Sequence, residues 1–320
     1  MNNNKLICSL FFLILLLSGC QEPTPPEERL QEDAQKILSQ ILHHQKQWVK
    51  VHAAEFLIDL GEMEAIDSIF QKENELYGNA APYRVGIWRV LSQIDSSNYN
   101  WKVQIVNLAK DSKASDQLYA IETIAKRKIP PLWLSYWLKN QILHGDNIRL
   151  KSYTQWALAI PRNEGDKPAI DSLKRMVFSK IVEEKRIAAL ALGKLNYYPE
   201  EAWNELATHA LKEPSDSDAK VYLLAAGMTL CPDQKLPTFG ELEKEILSYN
   251  NSYSKTKRYV LCETLARTGD KKHLRILKDL MYGNNPILNI ETLGSPQEHP
   301  VNIDVSAAAA YAILKISARM

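Results

Sequence analysis

Along most of the chain, apolar residues return every three or four positions, the spacing of one face of an α-helix. Counted from Ala53 and from Ala188, two distant segments carry apolar residues at i, i+1, i+4 and i+7. Anchoring each such helix on its central aliphatic residue gives Leu57, Leu91, Ile124, Leu158, Leu192, Ala226, Leu265 and Ile313, separated by 34, 33, 34, 34, 34, 39 and 48 residues. Five successive intervals within one residue of 34 define an internal repeat. Four residues before the anchors stand Ala53, Ile87, Ala120, Thr154, Ala188, Tyr222, Leu261 and Ala309. Most are small or apolar, which lets neighbouring helices approach closely. A second amphipathic segment follows in most units, for example Trp101–Lys110, Leu132–Leu143 and Ala169–Phe178. Pro130-Pro131, Pro161, Pro199, Pro214, Pro232 and Pro237 punctuate the pattern.

Each full unit therefore predicts a helix–turn–helix. One pair cannot bury its apolar stripe alone, but stacked pairs share a continuous core. The expected fold is all-α, an α-solenoid of about seven to eight helix hairpins. An extra amphipathic segment, Glu28–Gln45, predicts an N-terminal cap, and Val305–Ser317 reads as a lone first helix that closes the other end.

Lys185–Leu195, KRIAALALGKL, resembles the first helix of bacterial HEAT-like repeats, and Val51–Gly61 and Ser306–Ile316 resemble it more loosely. Seven residues before the anchors stand Lys50, Arg84, Gln117, Lys151, Lys185, Ala219, Arg258 and Ser306. That mostly basic position is similar to the basic ladder of HEAT repeats. The resemblance covers Trp48 to Met320 and implies a right-handed solenoid. Packing and hydrogen bonding with acids such as Glu55, Asp116, Glu184 or Asp218 is the expected role of the ladder. The tetratricopeptide family shares the 34-residue period, and a tetratricopeptide-type adaptor is the alternative. Its regular Trp/Leu-Gly/Tyr pattern is missing from these units.

The N-terminus follows a different pattern. Lys5 precedes Leu6–Leu17, an apolar run of twelve residues, too short for the ~20 residues of a membrane-spanning helix. Leu17-Ser18-Gly19-Cys20 resembles the lipobox of bacterial lipoproteins. That resemblance implies a signal peptide over residues 1–19, acylation of Cys20 and anchoring to the membrane by its fatty chains. Gln21, in place of an Asp, implies the outer membrane, with the protein facing the periplasm or the cell surface. Pro23, Pro25 and Pro26 make residues 20–28 a Pro-rich tether ahead of a solenoid over 29–320.

Composition narrows the functional classes. Lys+Arg is 39 and Asp+Glu 38, a net charge of +1, which does not favour a nucleic-acid partner. No nucleophile, base and orienting group can be assembled, so no enzyme, cofactor or metal is expected. His43 and His44 are adjacent and diverge on a helix; His52 lacks a completing ligand, so all three read as solvated or capping side chains. Cys231 and Cys262 fall in neighbouring units too far apart to bridge, and predict two free, buried thiols. Gly283–Asp304 forms a long insertion. Trp133, Tyr136 and Trp137 form an aromatic group on a second helix, the candidate binding surface if second helices line the concave face. These readings predict a membrane-anchored, non-catalytic scaffold for a protein partner. Two other classes stay open: a carbohydrate-handling accessory protein, with Trp133 and Trp137 as a stacking platform, and an enzyme whose site combines residues from distant repeats.

Overall fold

The structure is a computed structural model, and it describes residues 26–95, 97–130, 134–160, 167–283 and 300–320. Among them lie sixteen α-helices and no strand. The first eight are α1 (Pro26–His44), α2 (Gln47–Asp59), α3 (Glu64–Tyr77), α4 (Tyr83–Ile94), α5 (Tyr99–Lys110), α6 (Gln117–Lys126), α7 (Ser135–His144) and α8 (Ile148–Leu158). The second eight are α9 (Lys167–Met176), α10 (Val182–Leu195), α11 (Trp203–Lys212), α12 (Lys220–Thr229), α13 (Pro237–Leu247), α14 (Lys255–Thr268), α15 (Leu274–Tyr282) and α16 (Pro300–Ser317).

The even-numbered helices are the repeat's first helices, and all eight anchors are buried on them. They stand side by side as an inner layer. The odd-numbered helices form an outer layer: α1, α5 and α9 lie over the seam between two inner helices, α3, α7, α11 and α15 pack chiefly on the inner helix that follows, and α13 on the one that precedes it. Sequence chemistry explains the sorting. An outer helix has one apolar stripe, as in α13 with Phe239, Leu242 and Ile246. Inner helices touch both layers and bury most of their circumference, as α4 does from Tyr83 to Ser92.

The inner layer closes on itself. α16 packs against α14 on one side and α2 on the other, and α1 lies over the α16/α2 seam. The stack of helix pairs is therefore a ring of eight, with the eighth pair made from the two ends of the described chain. α1 carries Ala34, Ile37, Leu38, Ile41 and Leu42, all buried, the same stripe as any other outer helix. The seam is also stitched by polar contacts. Phe56 stacks on Tyr311 at 4.5 Å, and the Tyr311 hydroxyl donates to Asp59 at 2.6 Å. Lys315 pairs with Asp59 at 3.1 Å, and the Tyr282 hydroxyl donates to Asp33. Asp304, 4% exposed, takes His52 from α2 and Lys255 from α14.

Several expectations are corrected by these contacts. The segments read as two separate caps cap each other. α16 begins at Pro300, so Pro300 to Asp304 belong to a helix and not to the insertion. α1 begins at Pro26, so residues 26–28, expected in the tether, are helical; proline suits a first turn because its missing N–H would be unpaired there. Cys231 and Cys262 are free, but only Cys262 is buried; the half-buried Cys231 thiol donates to the Asp233 carbonyl at 3.2 Å. His52 joins the seam. His43 and His44 are exposed at the end of α1.

The basic ladder is a set of interhelical clamps, as expected, but mostly with other acids. Lys50 pairs with Glu73 at 2.6 Å and Lys185 with Glu213. Arg84 grips Asp116 with two bonds of 2.7 and 2.9 Å. In the sixth unit the clamp is Lys220 with Glu245 at 2.9 Å, one residue later than Ala219. That unit's register is shifted by one. Glu55 faces the ring centre and Glu184 accepts from Ser179, so neither serves the ladder.

Because the inner helices run parallel, their N-termini share one rim of the ring (rim A) and their C-termini the other (rim B). Outer helices run the opposite way, so α1 starts at rim B. The insertion between Gly283 and Pro300 leaves and re-enters at rim A.

Candidate functional site

Side chains that reach past one inner helix to the next define the lumen. Trp48 of α2 stacks on Tyr119 of α6 with ring centroids 5.4 Å apart, past α4. Past α12, Lys194 of α10 meets Glu263 of α14 at 3.0 Å. His52 of α2 comes within 5.7 Å of the Tyr259 ring on α14, past α16.

These side chains occupy equivalent repeat positions. Two residues before the anchors stand Glu55, Arg89, Glu122, Glu263 and Tyr311; two residues after stand Asp59, Lys126, Lys194, Arg267 and Lys315. A tier of rings, His52, Tyr119, Tyr153 and Tyr259, lies one to two turns nearer rim A. Seven residues of helix separate the outermost tiers, about 10 Å along the axis. From rim A to rim B the lumen thus passes from aromatic groups, through carboxylates, to cations.

The acids and bases are matched. Arg89 donates to Glu55 at 2.8 Å and lies over the Trp48 ring. Lys126 pairs with Glu122 at 2.6 Å. Burial opposes ionisation of Glu55, but Arg89, His52, Lys126 and Arg127 together hold it below the usual carboxylate range. The same balance lowers Glu122, where Lys126 and Arg89 overcome burial. Burial of Glu263 is overcome by Lys194, Arg267 and Lys126, which take it down to about 2. Burial and the neighbouring Arg267 and Lys126 lower Lys194 against the pull of Glu263. Tyr153 and Tyr259 are pushed up by burial and stay neutral.

Among the described residues no lumen carboxyl is raised toward neutrality, the signature of a poised general acid. These shifts are those of a compensated ion network. Lys194 and Glu263 keep 30% and 25% of their side-chain surface accessible, so water reaches them. A gap of about 40 Å³ between α10, α12 and α14 holds only a few waters. Between these three helices the lumen is therefore filled by its own side chains. No group of three or more His, Cys, Asp or Glu among the described residues is placed to hold a metal ion.

Larger recesses lie at the rims. At rim A, one of about 370 Å³ is lined by Arg149, Glu183, Arg186, Asp218 and Tyr222, and one of about 420 Å³ by Trp48, Leu76, Tyr77 and Pro82. At rim B, one of about 390 Å³ contains Lys194 and Arg267. Rim A is also the apolar face. Of the fourteen exposed large hydrophobic side chains among the described residues, eight stand there (Leu76, Tyr77, Tyr119, Ile148, Phe178, Ile181, Val182 and Tyr253), against five at rim B (Met63, Tyr99, Tyr136, Tyr197 and Met320). Isolated exposed apolar residues are ordinary, but Leu76 and Tyr77 adjoin a rim A recess and Ile181 and Val182 are consecutive.

The residues singled out by sequence fall elsewhere. Cys20 and Trp133 lie outside the described residues. Tyr136 is 87% exposed on the first turn of α7, and Trp137 is half-buried against the core. α7 is an outer helix, so Tyr136 and Trp137 do not face the lumen; first helices, not second ones, line the concave side. The lumen ions were missed, although their signal was present as polar residues two positions before or after six of the eight anchors, all but Leu158 and Ala226. No protein-family model, no curated protein and no solved structure matches this chain.

Proposed function

We propose that this chain is a lipid-anchored, non-catalytic docking ring that holds a protein partner on rim A. The observation that carries the reading is the larger share of exposed apolar side chains on that rim, with Leu76 and Tyr77 lining one of its two recesses. Leu17-Ser18-Gly19-Cys20 supports the anchor by its resemblance to a lipobox, and Gln21 favours the outer membrane. No helix among the described residues is long and apolar enough to cross a membrane.

The anchor and the apolar rim fit together geometrically. α1 starts at rim B only six residues after Cys20, a reach of at most about 20 Å for extended chain. A lipid on Cys20 holds rim B toward the membrane and turns rim A toward the aqueous side, where a protein can approach. The ion-filled lumen serves as a rigid hub, which keeps the rim's loops in a fixed arrangement.

Two experiments test the parts separately. Cys20→Ser is expected to move the protein out of the membrane fraction; unchanged retention removes the lipoprotein reading. A photo-crosslinking residue at Tyr253, in the native membrane, is expected to trap a discrete partner, whereas one at Tyr136 on the outer helix α7 is not. Equal trapping at both positions, or none at Tyr253, removes the docking rim.

A further inference from the structure

The rim B recess has a composition unlike the others. Lys194 and Arg267 enter it from α10 and α14. Its remaining polar wall is neutral: Asn196 just past α10, Thr229 at the end of α12 and Gln234 in the following loop. No carboxylate lines it, since Glu263 sits deeper in the lumen. By contrast, the arginines of the rim A recess are consumed by Glu183, at 2.8 Å from Arg149 and 2.7 Å from Arg186.

The cations around Glu263 outnumber their acids. Lys126 is matched by Glu122 and Lys194 by Glu263. Arg267 acts on Glu263 and Asp59 through its charge but makes no direct ion pair with a carboxylate among the described residues; its Nη1 donates to the Gly193 carbonyl at 2.9 Å. A guanidinium carries about five N–H donors, so most of this fork is free for another acceptor. The side-chain amides of Asn196 and Gln234 have no protein partner among the described residues. The helix C-termini at this rim carry partial negative charge, which favours the two cations there and opposes an anion, so the anion must be held by the side chains.

We propose that this recess binds a phosphate-type oxyanion, carried either by a phospholipid headgroup or by a soluble phosphate ester. A planar guanidinium fork beside an ammonium, with neutral donors and no carboxylate, is the donor set such an anion requires. The oxyanion itself depends only on the recess. The lipid source rests on the anchored orientation above, because that orientation brings rim B to the headgroups.

The test uses the full chain in a neutral detergent at constant ionic strength. It is titrated calorimetrically with inorganic phosphate and, separately, with glycerophosphoglycerol, the deacylated diester of a lipid headgroup. Saturable binding is expected, weakened about tenfold or more by Arg267→Gln and several-fold by Gln234→Ala. Arg275→Gln, at an exposed guanidinium in the first turn of α15 on the same rim and outside the recess, is expected to change nothing. Tighter binding of the diester assigns the site to headgroups, tighter binding of phosphate to soluble esters, and equal binding to the oxyanion alone. No saturable heat with either probe, or unchanged binding in Arg267→Gln, overturns the proposal. Gln234 is exposed and unpaired, so its alanine variant reads binding without a folding defect. None of these titrations depends on Cys20. A failed titration therefore leaves the anchor reading standing, and retention of Cys20→Ser leaves this site standing.

Discussion

Replacing Ile41 with aspartate is expected to lower the unfolding free energy by about 4 kcal/mol, as much as the same change in the middle of the ring. Ile41 is 0% exposed on α1, beneath which α16 and α2 meet. In an open stack a terminal helix is held by one neighbour, and its loss frays one end. In a closed ring the same helix covers a seam, and its loss exposes two inner helices together. A carboxylate at position 41 has no cation to meet and would be buried unpaired. Urea unfolding of Ile41→Asp and of Leu192→Asp, whose site lies on α10 opposite the seam, measures the difference. Matching large losses support closure. A nearly native midpoint for Ile41→Asp beside a collapsed Leu192→Asp shows instead that α1 is a dispensable end.

The second large effect lies in the lumen. Glu263→Ala is expected to cost about 3 kcal/mol at neutral pH, the low end for breaking a buried ion pair, because water reaches this one. The change leaves Lys126, Lys194 and Arg267 facing one another. The pH dependence has a definite sign. The folded carboxyl titrates at about 2, below the ~4.3 of an unfolded glutamate. Its contribution is therefore fully present above about pH 4.5 and is lost as pH falls toward 2, an amount of about 3 kcal/mol. The gap between the parent chain and Glu263→Ala should close over that interval. Urea titrations at pH 7 and pH 3 read it directly, and a gap that stays constant contradicts the ion-network account. Glu55, Glu122 and Asp304 are lowered as well, so the parent chain should itself weaken in acid.

Both results bear on what could be read from the residues alone. The period of 34 reports a local fact, that each apolar stripe recurs after one helix pair. It placed all eight anchors on buried inner-helix positions. The basic ladder was legible as a clamp because lysine or arginine at one helix position must find an acid when buried. Its partners were mostly misassigned. Glu55 and Glu184 were near in sequence, whereas Glu73 and Glu213 come from outer helices whose ends swing over the inner ones. The shift of one residue in the sixth unit was hidden because Ala226 and Gly227 are equally small.

The sequence by itself determined helix pairs, their number and the burial of the anchor face. These are short-range matters, settled by periodicity, side-chain size and the spacing of prolines. Only the tertiary structure decided that the stack closes. Closure needs a rotation of about 45° for each of eight pairs, a sum of small packing angles that no single repeat encodes. Once closed, residues 250 positions apart become neighbours, as with His52 and Asp304. The charges beside each anchor then change meaning. In an open stack they would line a solvated groove. In the ring they converge on one axis and compensate each other.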